Sequence, residues 1–171
     1  MTTLKIGVVG AGKVARANYL PCLAGESDVS IGYFSRTRDK AEQCAAQFPG
    51  AVFDSAAELL AWQPDAVLVL TRETQRLEAA NALLEHRPPR LFFEKPLVAA
   101  AGQENVTEQD FLDGQGILRR AEAIGCETAM VFNYRFFEHS MLAKRLVAER
   151  EFGALRNVTG LVHYACWSHC I

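Results

Sequence analysis

Residues Gly10-Ala11-Gly12-Lys13-Val14-Ala15 form a G-x-G-x-x-A turn between an apolar run, Leu4 to Val9, and a helical stretch over about 13–24. This placement limits the fold more than any other feature of the chain. A short apolar run without alternation is the pattern of a strand covered on both faces. A strand that passes through glycines directly into a helix opens a β-α-β unit. Pro21 lies inside the helical stretch and is expected to kink or end it. The alternation then continues. Strands are predicted over 29–34, 51–53, 66–70, 90–93 and 127–132, and helices over 39–48, from Asp54 or Ser55 through Trp62, over 73–86 and over 108–124. Six strands separated by helices specify the α/β class: a doubly wound parallel sheet with right-handed crossovers and helices on both faces. A helix over 138–150 and a strand-like run over 155–164 follow a composition shift near Tyr134. Residues 1–133 are therefore expected to form one domain, and 134–171 the start of an incomplete α+β domain for substrate or dimer contacts.

Composition excludes several function classes. A chain of 171 residues suffices for one domain that buries roughly two-thirds of its unfolded surface. A formal net charge of −2 leaves no basic footprint for a nucleic acid. No apolar run reaches the roughly 18 residues of a membrane span, and the N-terminus has no signal-peptide pattern. Cys22, Cys44, Cys126, Cys166 and Cys170 are odd in number and irregular in spacing. They read as free thiols in a reducing cytoplasm rather than a disulfide framework.

In such a turn each small residue has its own task. Gly10 permits the tight bend, Gly12 lets a dinucleotide pyrophosphate approach bare backbone, and Ala15 lets helix and strand pack closely. The helix start, with Lys13 and Val14, offers N–H groups and a positive dipole end to the phosphates. The ribose is met about 20 residues later, where an acidic residue favours NAD. This chain has Ser35-Arg36-Thr37-Arg38 there. A hydroxyl and the guanidinium groups of Arg36 and Arg38 suit a 2′-phosphate, so NADP is expected as the cofactor, with NAD possible. Thr71, after the fourth strand, is expected to border the same cofactor.

Glu94-Lys95-Pro96 closes the fifth strand, at the carboxyl edge where ligands of parallel sheets sit. Partial burial there would tune Lys95 as an acid or base. The bland alternative is an exposed lysine paired with Glu94. With Gly10 to Ala15, Ser35-Arg36, Glu94-Lys95-Pro96 and Asn133-Tyr134-Arg135-Phe136 in this order, the chain resembles the family of glucose-fructose oxidoreductase, inositol dehydrogenase and rhizopine-catabolism oxidoreductases. The resemblance implies a Rossmann domain followed by an open antiparallel sheet. It also implies hydride transfer between nicotinamide and a sugar, cyclitol or related small molecule, and a homo-oligomer for the intact protein.

By the same resemblance Glu94 and Lys95 border the cofactor, and Lys95 moves the proton of the reacting hydroxyl. Tyr134 and Arg135 border the substrate, Arg135 either as a ligand contact or as an interdomain ion pair. His169 is the candidate second catalytic group, although Ala165 stands where the family has an aspartate four residues earlier. Leu77 occupies a helix position where relatives often carry histidine. Phe136 and Phe137 are expected in the core. His163, Cys166, His169 and Cys170 crowd too closely in one apparent strand for a zinc site, and no metal is expected. Since the family runs longer, the chain reads as truncated. The alternative function is a module that binds NAD(P) without turnover.

Overall fold

The computed structural model describes residues 3–149, 153–154 and 156–157. His163, Cys166, His169, Cys170 and nearly all of the strand-like run over 155–164 lie outside them. The chain divides into two compact units, residues 1–131 and 132–171.

In the first unit β1 (Leu4–Val9), β2 (Val29–Phe34), β3 (Ala51–Phe53), β4 (Ala66–Val69), β5 (Arg90–Phe93) and β6 (Glu127–Met130) form one parallel sheet in the order β3-β2-β1-β4-β5-β6. The chain builds outward from β1 to β3, then returns to lay β4 on the other side of β1. Register aligns the strand ends. Val9 lies opposite both Phe34 and Val69, and Val69 opposite Phe93. Residues 10, 35, 70 and 94 therefore leave the sheet along one edge, and the order reverses between β1 and β4 at that edge.

Helices α1 (Leu20–Gly25), α2 (Arg38–Gln47), α3 (Ala56–Ala61), α4 (Glu73–Leu84) and α5 (Glu108–Ala123) connect the strands. Successive strand residues point to opposite faces, and two cores result. Val8, Ile31 and Tyr33 join Leu20 and Cys44 on one side. Val9, Val67, Leu91 and Phe93 join Leu59, Leu83 and Ile117 on the other. Each of these larger side chains contributes about 1.5–3 kcal/mol by leaving water.

Pro21 does not end its helix. The stretch Ala15–Tyr19 widens into a π-helical turn, with the Leu20 N–H bonded to the Ala15 carbonyl five residues back, and Pro21 falls in the first turn of α1. Proline has no N–H for Ala17, and its ring would press on that carbonyl. A wider turn removes the conflict, and such turns recur at functional sites.

Helix α5 starts at a reciprocal cap. The Thr107 hydroxyl accepts from the Asp110 N–H, while the Asp110 carboxylate accepts from the N–H groups of Thr107 at 2.8 Å and Ala100 at 2.7 Å and from the Thr107 hydroxyl at 2.8 Å. These bonds, Ala100 first, lower the Asp110 pKa below its ordinary value. A depressed carboxylate contributes stability that is present above the unfolded pKa of about 3.9 and is lost as pH falls through the folded pKa. Asp110→Asn is thus expected to lower the urea midpoint at neutral pH, by an amount that shrinks below about pH 4. An equal gap at pH 3 and pH 7 would assign the effect to shape instead of charge.

The second unit holds a 3₁₀ turn, Asn133–Phe136, and α6, Glu138–Glu149. Tyr134 lies against Phe137 with ring centroids 4.9 Å apart, and the Arg135 guanidinium stands 5.4 Å from the Phe136 ring centre. Phe136 is 68% exposed and Phe137 is also exposed. Their expected core placement is not found, because both rings pack on close neighbours in the turn and α6 rather than on a buried layer. No helix among the described residues is long and apolar enough to cross a membrane.

Candidate active site

The two glycines of the turn are used differently. Gly10 has φ +100°, and a Cβ there would lie 2.6 Å from the backbone nitrogen of Thr71 and 2.8 Å from the carbonyl carbon of Leu70. The turn is pressed against the end of β4, where the strand order reverses, and is tied to β2 by the Gly10 N–H on the Phe34 carbonyl at 3.0 Å. A Cβ at Gly12 would meet nothing within 4 Å. Its outer side is open space beside bare backbone. Ala15 is fully buried under the turn, whereas Lys13 and Val14 are exposed. The buried Thr71 hydroxyl has no hydrogen-bond partner among the described residues. An approachable backbone at Gly12, in a turn packed through Gly10 against Thr71, fits a dinucleotide laid across this edge.

At the end of β2, Ser35 is half-buried and Arg36 is exposed. The Arg36 guanidinium makes no hydrogen bond or ion pair among the described residues. Arg38 is engaged elsewhere. It donates to Glu42 Oε1 at 2.7 Å and to Asp54 Oδ1, holding the start of α2 to the loop after β3. Of the two arginines expected at the ribose, Arg36 alone has an uncommitted guanidinium.

At the end of β5 both oxygens of the Glu94 carboxylate accept hydrogen bonds. Oε1 accepts from the Tyr19 hydroxyl at 2.7 Å, and Oε2 accepts from the backbone N–H of Lys95 at 2.9 Å. Glu94 therefore does not pair with the Lys95 ammonium, which has no partner among the described residues. The partial burial expected for Lys95 is not found, because its side chain projects outward from the turn and is exposed. The Lys95–Pro96 peptide is cis. Burial, and then the bond to Glu94, raise the Tyr19 pKa well above its ordinary value. Tyr19 is thus a neutral donor throughout the working range.

Sequence reasoning missed Tyr19 and Arg76. Arg76, on α4, is only 2% exposed. Its guanidinium donates to the carbonyl oxygens of Glu94 at 2.7 Å, Pro96 and Thr71. Leu77, where relatives often carry histidine, packs beside the core instead. Burial lowers the Arg76 pKa, and Glu94, Glu73 and Tyr19 oppose that shift. An arginine in the first half of the helix after β4, close in sequence to Thr71, was the available signal. Tyr134 and Arg135 lie in the second unit, and His169 lies outside the described residues.

The chain is 23% identical over 160 residues to glucose-6-phosphate 3-dehydrogenase of Bacillus subtilis, a match covering 94% of this chain and 42% of the relative. A Gfo/Idh/MocA family oxidoreductase from Vibrio cholerae superposes with TM-score 0.71 at 25% identity, covering 90% of this chain and 46% of the other. A 3-ketoreductase from Actinomadura kijaniata, solved in complex with NADP, superposes with TM-score 0.65 at 22% identity, covering 86% and 43%. The chain spans less than half the length of each. The family profile described as the oxidoreductase family, NAD-binding Rossmann fold, matches residues 4–110. With the strand order and glycine turn described above, this match shows that the chain belongs to the Gfo/Idh/MocA family of oxidoreductases.

Proposed function

We propose that the chain is the NADP-binding domain of an enzyme that moves hydride between nicotinamide and a hydroxyl or carbonyl carbon of a sugar, cyclitol or related small molecule. The observation carrying this reading is the open backbone at Gly12 beside the Gly10–Thr71 contact. In this reading Gly10, Gly12, Lys13 and Val14 hold the pyrophosphate. Ser35 and Arg36 meet the 2′-phosphate, and Thr71 and Glu94 border the nicotinamide half. The bound nicotinamide supplies or accepts the hydride. Lys95 Nζ hydrogen-bonds the reacting hydroxyl and takes its proton in the oxidation direction, or returns it in the reduction direction. Tyr134 and Arg135 belong to the substrate side, in a second domain over 134–171, with His169 as a further acid–base group. The activity of the Bacillus relative, a glucose-6-phosphate 3-dehydrogenase, supports a sugar derivative as substrate. The free thiols of Cys22, Cys44 and Cys126 are in keeping with a reducing cytoplasm.

Fluorescence titration with NADPH tests the binding claim, and NADP-linked oxidation of a panel of sugar phosphates, nucleotide sugars and cyclitols tests the activity. Saturable binding with hydride transfer is expected. Absence of binding would overturn the reading, and binding without transfer on any substrate would favour the module without turnover.

Arg36→Asp separates the two nucleotides. The variant loses a charge-assisted contact of about 1.5–3 kcal/mol. NADPH affinity is expected to fall roughly 10- to 100-fold, with NADH affinity held or improved. Equal losses for both nucleotides would remove the 2′-phosphate argument.

A further inference from the structure

Lys95 stands on a turn whose backbone is held almost entirely by side chains from elsewhere. The Glu94 carbonyl and the Pro96 carbonyl, on either side of Lys95, both accept from one nitrogen of the Arg76 guanidinium. The second terminal nitrogen donates to the Thr71 carbonyl, just past β4. The Lys95 N–H is held by the Glu94 carboxylate, which Tyr19 holds in turn. Glu94 reaches β4 itself only through its N–H on the Val69 carbonyl, at 3.3 Å. One planar, rigid fork therefore spans the ends of two adjacent strands and grips both flanks of the lysine.

A guanidinium is a costly way to fill this space. It is buried, and its Nε has no partner among the described residues. Taking a guanidinium out of water carries a desolvation penalty that only good geometry and satisfied hydrogen bonds offset. The pattern of three carbonyl acceptors points to geometry as the return on that cost.

We propose that Arg76 is a positioning residue for the reaction: by binding the carbonyl oxygens of Thr71, Glu94 and Pro96 it sets where the Lys95 amine stands above the strand ends. This rests on the reading of Lys95 as the proton-transfer group. Arg76 itself faces the backbone and touches neither hydride donor nor hydroxyl. A misplacement of about 1 Å costs on the order of 10²-fold in rate, and that is the loss expected here.

The test uses the full chain carrying Arg76→Met, with Arg76→Gln as a second variant should the first fail to fold, and Arg76→Lys as the conservative one. Two readouts are needed. The first is amide hydrogen exchange, which requires no turnover. The Lys95 amide is expected to exchange at least about tenfold faster in the Met or Gln variant, a change of more than 1.4 kcal/mol in local opening, while Val8 and Ile31 amides stay as in wild type. The second is steady-state kinetics. In the Met variant kcat should fall on the order of 10²-fold, with KM and NADPH affinity near wild type. Arg76→Lys should restore part of kcat, because an ammonium reaches fewer of the three carbonyls in the right plane.

Unchanged Lys95 exchange, or a uniform rise through the β1 and β2 amides, would overturn the proposal. The first result would show no hold on the turn and the second a general structural role. An unchanged kcat beside selectively faster Lys95 exchange would overturn it too. A wild-type chain that binds NADPH and transfers no hydride would sink the hydride-transfer reading, and exchange at Lys95 would still decide whether Arg76 holds the turn.

Discussion

Gly10→Ala is expected to lose a large share of the fold's stability, whereas Gly12→Ala is expected to keep the fold and lose the nucleotide. The first variant places a methyl group 2.6 Å from the Thr71 nitrogen and 2.8 Å from the Leu70 carbonyl carbon, on a residue with φ +100°. Both obstacles are backbone atoms at the centre of the sheet, so no side chain can swing away. A non-glycine residue held in such a conformation costs about 1–3 kcal/mol. Overpacking against fixed atoms adds about 1–3 kcal/mol. The sum, on the order of 2–6 kcal/mol, is a large share of the whole stability of a small domain, about 5–15 kcal/mol. The second variant meets nothing within 4 Å, and its backbone lies outside the left-handed region. Its urea midpoint should stay close to wild type, while NADPH affinity drops at least about tenfold, or 1.4 kcal/mol, because the methyl group occupies the pyrophosphate's approach. The pair is decisive in urea unfolding and NADPH titration. Should Gly12→Ala bind NADPH as tightly as wild type, phosphate does not dock at this turn.

Lys95→Ala is expected to lower kcat by about 10²–10⁴-fold, the usual worth of a positioned acid–base group, with NADPH affinity little changed. The reason lies in how the turn is tied. The Lys95 side chain takes no part in holding it. Its backbone N–H bonds to Glu94, and the neighbouring carbonyls bond to Arg76. Removing the amine therefore leaves the cofactor edge in place and deletes only the proton carrier. Steady-state kinetics beside an NADPH titration measures both quantities. Activity equal to wild type would remove Lys95 from the mechanism. A parallel collapse of binding and turnover would show that the side chain supports the nucleotide site instead.

Much of the sheet was legible because its signals are local. β1, β2, β3 and β5 occupy the residues expected from their apolar runs, and of the two candidate caps for α3, Asp54 and Ser55, it is Ser55 that accepts from the Glu58 N–H. Lys95 and the glycine turn were legible because strand ends place residues predictably on one edge. What escaped depends on partners far along the chain. Arg76 sits in a helix whose charge pattern reads as solvated. Its inward direction is decided by carbonyls 18 and 20 residues later, at Glu94 and Pro96. Tyr19 was hidden for the same reason, since its acceptor is 75 residues distant. The π-helical turn was not foreseen because proline reads locally as a break. Continuing the helix keeps Ala15 and Leu20 buried in the core.

The ties at the strand ends also have an order in time. The glycine bend needs only β1, β2 and β4, and its hold on Phe34 spans 24 residues of chain, from Gly10. The Tyr19–Glu94 bond closes a loop of 75 residues and must await β5. Wider loops cost more entropy and close later. The Tyr19–Glu94 bond is thus the last of these ties to form, and the lysine turn is completed only when the sheet edge from β1 to β5 is in place.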